Sequence, residues 1–205
     1  MATKNVTIFK NIKETSTPFH REVGVVLERI KEGSSKELVK NIRQEKDKSS
    51  RNELKKMLPA ICFSGVFSKR NDNSINEHSG IICLDFDGYP NKKELLADKE
   101  RLTKDKFVYS VFISPSGNGL KALIKIPQDI DNHVNYFNSL DNHFNSEYFD
   151  KTCKNISRVC YESYDPLIYI NENSSIWDTI EDIEYREVSV YRDAPTIPIT
   201  DEKRL

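Results

Sequence analysis

Two carboxylates one residue apart, Asp85 and Asp87, close the apolar run Ile81-Ile82-Cys83-Leu84-Asp85-Phe86-Asp87, which stops at Gly88. Extended backbone sends alternate side chains to opposite faces, so a strand here turns both acids the same way and sends Leu84 and Phe86 into the other layer. Like charges this close repel, and a divalent cation is the usual means of keeping both ionised; the plain alternative is a polar strand end with two solvated acids. A second candidate follows in Ser114-Pro115-Ser116-Gly117-Asn118-Gly119, with Lys121 just beyond. Its glycines permit positive φ, and its amides, two hydroxyls and nearby lysine suit a phosphate, whereas an Asn-Gly hairpin turn is the structural alternative. A nucleotidyl-transfer site needs a third acid. Asp150 follows Tyr148-Phe149 and precedes Asn155 and Arg158; Asp165 competes, but an Asp before a proline more often starts a turn.

The elements that must position these groups alternate along the chain. A strand over Val6 to Phe9 leads through Thr17-Pro18 to a helix from about Glu22 to Lys31, ended by Gly33. Ser34 or Ser35 then caps a basic helical region that Pro59 closes. An apolar run, Ala60 to Phe67, and a polar loop, Ser68 to Glu77, precede the carboxylate strand. A helix over Lys92 to Leu102, a hairpin of Phe107 to Ile113 with Leu120 to Ile126, a helix over Asn132 to Phe144 and a last strand, Arg158 to Glu162, follow. One hairpin interrupting the strand–helix alternation favours an α+β sheet with helices on one face over a doubly wound fold.

The chain has 205 residues, 37% hydrophobic, with a formal net charge of -1, enough for one sizeable core and too little positive charge to bind nucleic acid by bulk electrostatics. Charge is segregated instead. Between Lys36 and Lys56 eight bases face four acids, and Lys36, Lys40 and Arg43 recur at helical spacing opposite Leu38, Val39 and Ile42. That pattern describes an amphipathic helix whose basic face is a candidate nucleic-acid contact or an ordinary solvated surface. No apolar run approaches a membrane span and the N-terminus lacks the block of a signal peptide, so a cytoplasmic protein is expected. Cys62, Cys83, Cys153 and Cys160 form no CxxC pair, and neither a zinc site nor a disulfide is expected from them.

Taken in order, residues 5 to about 172 resemble the primase–polymerase branch of the archaeo-eukaryotic primase superfamily, in the type carried by phages and mobile elements of Bacteroides-like bacteria. The family's hydrophobic-Asp-hydrophobic-Asp metal motif matches Leu84-Asp85-Phe86-Asp87. Its Ser-Gly-Asn-Gly-x-His loop matches Ser116-Gly117-Asn118-Gly119-Leu120, with Lys121 in the histidine's place, and its later hydrophobic-Asp matches Phe149-Asp150, followed by Arg158. The resemblance implies an RRM-like catalytic module (76–172) after an N-terminal α/β module (1–75), with 173–205 an acidic linker or tail. It implies a metal-dependent DNA primase or polymerase in which Asp85, Asp87 and Asp150 hold Mg²⁺ or Mn²⁺ for catalysis. Ser114, Ser116, Gly117, Asn118, Gly119, Lys121 and Arg158 would hold a nucleoside triphosphate, Lys36, Lys40 and Arg43 single-stranded DNA, and a replicative helicase would be a partner. Lysine can neutralise a triphosphate but lacks the neutral imidazole's hydrogen bonding.

Two other readings compete. Asp-Phe-Asp-Gly after an apolar strand resembles the first motif of haloacid-dehalogenase-type phosphatases, but Tyr89 stands where that family has threonine and no paired downstream acids follow. A non-catalytic module, binding nucleic acid or tethering a helicase on a primase-like sheet, is the other; Lys121 in place of histidine keeps it open.

Overall fold

Alternating apolar runs and amphipathic stretches fold into three antiparallel sheets and five helices in a computed structural model that describes residues 4–180. In chain order these are β1 (Asn5–Phe9), β2 (Phe19–Glu22), α1 (Val23–Glu32), α2 (Lys36–Gln44), α3 (Lys48–Lys55), β3 (Ala60–Cys62), β4 (Gly65–Phe67), β5 (Ile75–His78), β6 (Ile81–Phe86) and α4 (Lys92–Thr103). Then come β7 (Val108–Ile113), β8 (Leu120–Lys125), α5 (His133–Phe144), β9 (Cys160–Tyr161) and β10 (Tyr169–Ile170). One sheet has the order β2-β1-β3-β9, a second β10-β7-β8-β6, and β4 and β5 form a hairpin.

The β6–α4–β7–β8–α5 stretch makes the second sheet with its helices on one face. Leu84, Phe86, Val111, Leu120 and Ala122 bury against Leu95 and Leu102 of α4 and Phe137 and Leu140 of α5. A fully buried apolar side chain contributes about 1.5–3 kcal/mol, so this layer fixes which face of β6 turns inward. On the opposite face, Ile81, Tyr109, Phe112 and Leu123 meet Val26, Leu27 and Ile30 of α1 and Val6, Ile8 and Ile61 of the first sheet. The two expected modules therefore share a core, and β9, from the later half of the chain, pairs with β3 in the first sheet. The described strand pairs are all antiparallel, unlike a doubly wound sheet.

Local signals set most boundaries. Gly33 ends α1 in the left-handed region at φ 92 with its N–H on the Arg29 carbonyl, and Asn91 caps α4 by accepting from the Glu94 amide. Several expectations need correction. The basic region is two helices, because the Asp47 carboxylate caps a fresh start at α3 by accepting from the Ser50 amide. Ser35 stands at the N-terminus of α2, yet its hydroxyl donates to the buried Glu162, which also holds Arg29 at 2.7 Å. The run 60–67 breaks at Phe63-Ser64 into β3 and β4, and the polar loop beyond it contains β5. Packing runs past the expected boundary at 172, since Trp177 is buried against Phe107 with its amide on the Lys125 carbonyl. The acids from Glu181 onward lie outside the described residues. Among the described residues no helix is long and apolar enough to cross a membrane.

One buried pair ties the β4–β5 hairpin to the second sheet. His78, at the end of β5, and His133, the first residue of α5, lie 3.0 Å apart from Nε2 to Nδ1. The Gly80 amide donates to His78 Nδ1, which leaves the His78 proton on Nε2 to be donated to His133. Burial pulls His78 down to about 4, against a smaller opposing pull from Asp129, and pulls His133 down to about 3 with the help of His78. Both rings are neutral when folded but protonate near 6.5 when unfolded, so their contribution is complete above about pH 6.5 and is lost as pH falls toward about 4. The denaturant midpoint of the wild-type chain is expected to fall steeply between pH 7 and 5, by a few kcal/mol in stability, and His133→Asn should flatten that slope. Equal slopes would remove the pair from the account.

Candidate nucleotidyl-transfer site

Phe86 sets the register of the site. It lies opposite Leu120 on β8 and, on the other edge of β6, forms an antiparallel bridge with Phe149. That bridge is closed by the Asp150 amide on the Asp85 carbonyl at 2.9 Å and the Asp87 amide on the Tyr148 carbonyl at 2.8 Å. Phe149 is held from the core side by edge-to-face contacts with Phe86 and Phe137, whose ring centroids lie at 5.4 and 5.1 Å. One residue along, the register lines up Lys121, Asp85 and Asp150 across three chain segments on the face away from Phe86. Asp87 comes next, against Gly119: a Cβ at 119 would collide with the Asp87 carboxylate and lie 2.8 Å from the Phe86 carbonyl, so glycine is needed for the close approach.

These residues floor a cleft of about 390 Å³ lined by Asp85, Asp87, Asp150, Lys121, Ser114, Pro115, Ser116 and Arg158, together with Ile12, Lys55, Val159 and Tyr161. Asp85 pairs with Lys121, while its Oδ1 is buried without a hydrogen-bond partner among the described residues. Burial works to lower Lys121, but the Asp85 charge, its hydrogen bond and the neighbouring Cys160 and Cys83 together outweigh it and hold the ammonium above its ordinary value. Asp87 is pushed up by burial and by the charge of Asp85. Burial also works to raise Asp150, but the Cys153 thiol and the Thr152 hydroxyl and amide donate to it and hold it below its ordinary value. Asp165, the competing third acid, is remote from this row: it pairs with Lys99 at 2.6 Å and accepts from the Ile113 and Leu167 amides, a structural role.

The loop is more self-contained than expected. Only Gly117 has positive φ, at 79. The Gly117 amide donates to the Ser114 carbonyl and the Gly119 amide to the Ser114 hydroxyl, so these two amides are spent within the turn. No partner is found for the Ser116 and Asn118 amides among the described residues; Ser116 faces the cleft and Asn118 is exposed. Arg158 reaches the cleft from the approach to β9 in the first sheet, not from a strand beside the carboxylates. On α2 the expected outward basic face is partly committed. Lys36 lies over the Tyr164 ring and Arg43 donates to the Ser114 and Tyr164 carbonyls, bracing the loop, while Lys40 makes only an exposed i,i+3 pair with Glu37.

Two residues were passed over in the sequence. Cys153 donates to Asp150 at 3.0 Å, and one ligand atom each from Asp85, Asp150 and Cys153 lie within 4.8 Å of one another, a group able to hold a metal ion. Burial, followed by its bond to Asp150, pushes this thiol up to about 12, so it is a neutral donor there. The only signal was its place three residues after Asp150, one turn away. Lys55, from α3, stands across the cleft, drawn down by burial and by repulsion from Lys121. Hard carboxylate oxygens, one of them buried and unpartnered, fit Mg²⁺ or Mn²⁺. Removing the ammonium that now neutralises Asp85 should therefore create a cation-dependent fold. In chelator, Lys121→Met is expected to lose about 3 kcal/mol, and Mn²⁺ should restore its Tm by more than it raises the wild type's. A shift no larger than in the wild type would contradict a cation at Asp85.

The BT4734-like, N-terminal domain family matches residues 53–170, more than half of the chain, a span that contains all three carboxylates, the loop and Arg158. Among solved structures the chain is similar to the AEP domain of the cyanophage S-2L primase-polymerase (PrimPol), at 13% identity and a TM-score of 0.45, covering 86% of this chain and 85% of that one. At that level the likeness is one of outline, and no step below rests on it. The comparison with curated proteins returned no match. On the family match, over the residues that build the cleft, the chain belongs to the BT4734-like N-terminal domain family.

Proposed function

We propose that this chain is a primase–polymerase-type nucleotidyltransferase that joins nucleotides along a single-stranded DNA template. The observation that carries the reading is the Lys121–Asp85–Asp150 row beside Asp87, on the floor of a cleft rimmed by Ser116, Lys55 and Arg158. In the reaction, a primer 3′-hydroxyl loses its proton and its oxygen attacks the α-phosphorus of a nucleoside triphosphate. A P–O bond forms and the bond to the β-phosphate breaks, releasing pyrophosphate. Asp85, Asp87 and Asp150 would hold Mg²⁺ or Mn²⁺, which supply Lewis-acid activation of the hydroxyl and neutralise charge on the leaving group.

The chain's own groups divide the remaining work by sign. Carboxylates collect on β6 and on the segment bridged to it; cations face them from β8, α3 and the approach to β9. Lys121 pairs with Asp85 and orients it before substrate arrives, and Arg158, Ser116 and the open Ser116 and Asn118 amides offer donors to a triphosphate. A helicase as working partner belongs to the same proposal. The non-catalytic reading retains one supporting observation, the ammonium that already pairs with Asp85.

A single assay separates the two. With Mn²⁺ or Mg²⁺, a single-stranded template and labelled nucleotide, the wild-type chain should extend or synthesise primers. Asp87→Ala should reduce product by at least about 100-fold without loss of fold, since it removes a carboxylate that burial and its neighbour already disfavour. Activity in Asp87→Ala equal to wild type, or none in the wild type with either metal, would leave the non-catalytic module.

A further inference from the structure

The wall opposite the carboxylates contains an element with a small core role: of α3, Leu54 packs, partly buried, against Val39, Ile42 and Leu58. No residue of α3 is buried, although its neighbours α1 and α2 each bury a hydrophobic stripe. Lys48, Arg51 and Lys55 recur on it at helical spacing, and from Lys46 to Lys56 five bases stand against two acids. A short, polar helix with a basic excess is only partly explained by packing and is suited to a charged partner.

At its C-terminal end α3 meets Tyr161. This residue lines both the catalytic cleft and a shallow depression of about 310 Å³ beside it, which Ser49, Asn52, Glu53, Lys55 and Lys56 also line. Its half-buried ring forms the lip between the two spaces, and its hydroxyl makes no hydrogen bond among the described residues. The charges of Arg70, Lys56 and Arg158 all act on that phenol. Among the described residues only Lys56 of this group has a carboxylate partner, Glu53, an exposed i,i+3 pair of the kind worth little. Lys55 has no carboxylate within ion-pair distance among the described residues. Cations without partners, spaced around an aromatic ring at the mouth of a cleft, match the repeating chemistry of a polynucleotide: phosphates at intervals and a flat base between them.

We infer that a single strand of nucleic acid crosses the cleft lip at Tyr161, its phosphates gripped between α3 (Lys55, Lys56) and Arg70 and Arg158, and a base resting on the Tyr161 ring. This deepens the nucleotidyltransferase reading, on which it rests, by moving the strand's path from the α2 face to α3. Duplex is disfavoured because a base in a stacked pair cannot lie on the ring.

The test is anisotropy of a labelled oligo-dT with the full chain, in chelator and without nucleotide, across a salt series. Lys55→Glu with Lys56→Glu should weaken binding about tenfold at low salt and lower the slope of log K against log salt by about 1 or more; α3 has no buried residue, so folding should survive, checked by circular dichroism. Tyr161→Phe should bind like the wild type and Tyr161→Ser about tenfold less well. Lys40→Glu, a single charge reversal on α2, should stay within about twofold. The inference is overturned if the lysine pair binds like the wild type, if Lys40→Glu is as weak as the pair, or if unlabelled duplex competes as well as single strand. Because no metal or nucleotide is present, intact binding without primer synthesis would count against the polymerase reading alone. Primer synthesis that tolerates the lysine pair, with unchanged binding, would count against this path alone.

Discussion

Everything at the site depends on Phe86 being held in register from both sides. Because its ring is wholly buried between the sheet and its helices, β6 cannot slip by one residue without exposing Leu84 and Phe86 and burying two acids. Leu120 fixes the strand on one edge and Phe149 on the other. The carboxylates gather because apolar side chains on the far face leave them no other arrangement. The main-chain bonds of the Asp150 and Asp87 amides then close an isolated bridge on the edge of β6 and tie the third acid to the first.

Electrostatics follows from that geometry. Two acids on one strand and a third on the bridging segment form a concentration of negative charge that, among the described residues, meets Lys121 alone at ion-pair distance, leaving Asp87 pushed up and one oxygen of Asp85 unpartnered. Basic residues placed further out, on α3 and before β9, cannot neutralise the row, but they make the mouth of the cleft attractive to phosphates. A chain whose net charge is near zero thus presents a strongly divided local field, with basic groups on the rim and carboxylates on the floor.

Much of this was legible in the residues. The alternation over 81–87 placed Asp85 and Asp87 on one face, and the proline after Asp165 pointed it toward a turn, where it meets Lys99. Asp150 had no such local signature; it joins the row through Phe149, whose role depends on packing against Phe86 and Phe137 from distant parts of the chain. Arg43 was misjudged for a related reason: helical spacing shows which face a residue shares, but not that the Ser114 and Tyr164 carbonyls wait within reach of its guanidinium. Ser35 looked like a cap until Glu162 arrived from more than a hundred residues away. Cys153 and Lys55 were missed because their spacing alone does not tie them to the acids; only the folded arrangement sets a thiol against Asp150 and a lysine across from Asp87.

The central claim is that the Phe86–Phe149 bridge assembles the acids into one cation site, and Mn²⁺ binding followed by electron paramagnetic resonance tests it most directly. Wild-type protein should deplete the free Mn²⁺ signal, and Asp85→Asn and Asp150→Asn should each weaken binding by at least about tenfold, because both ligate the same ion. Asp150→Asn binding Mn²⁺ as tightly as the wild type would contradict the account.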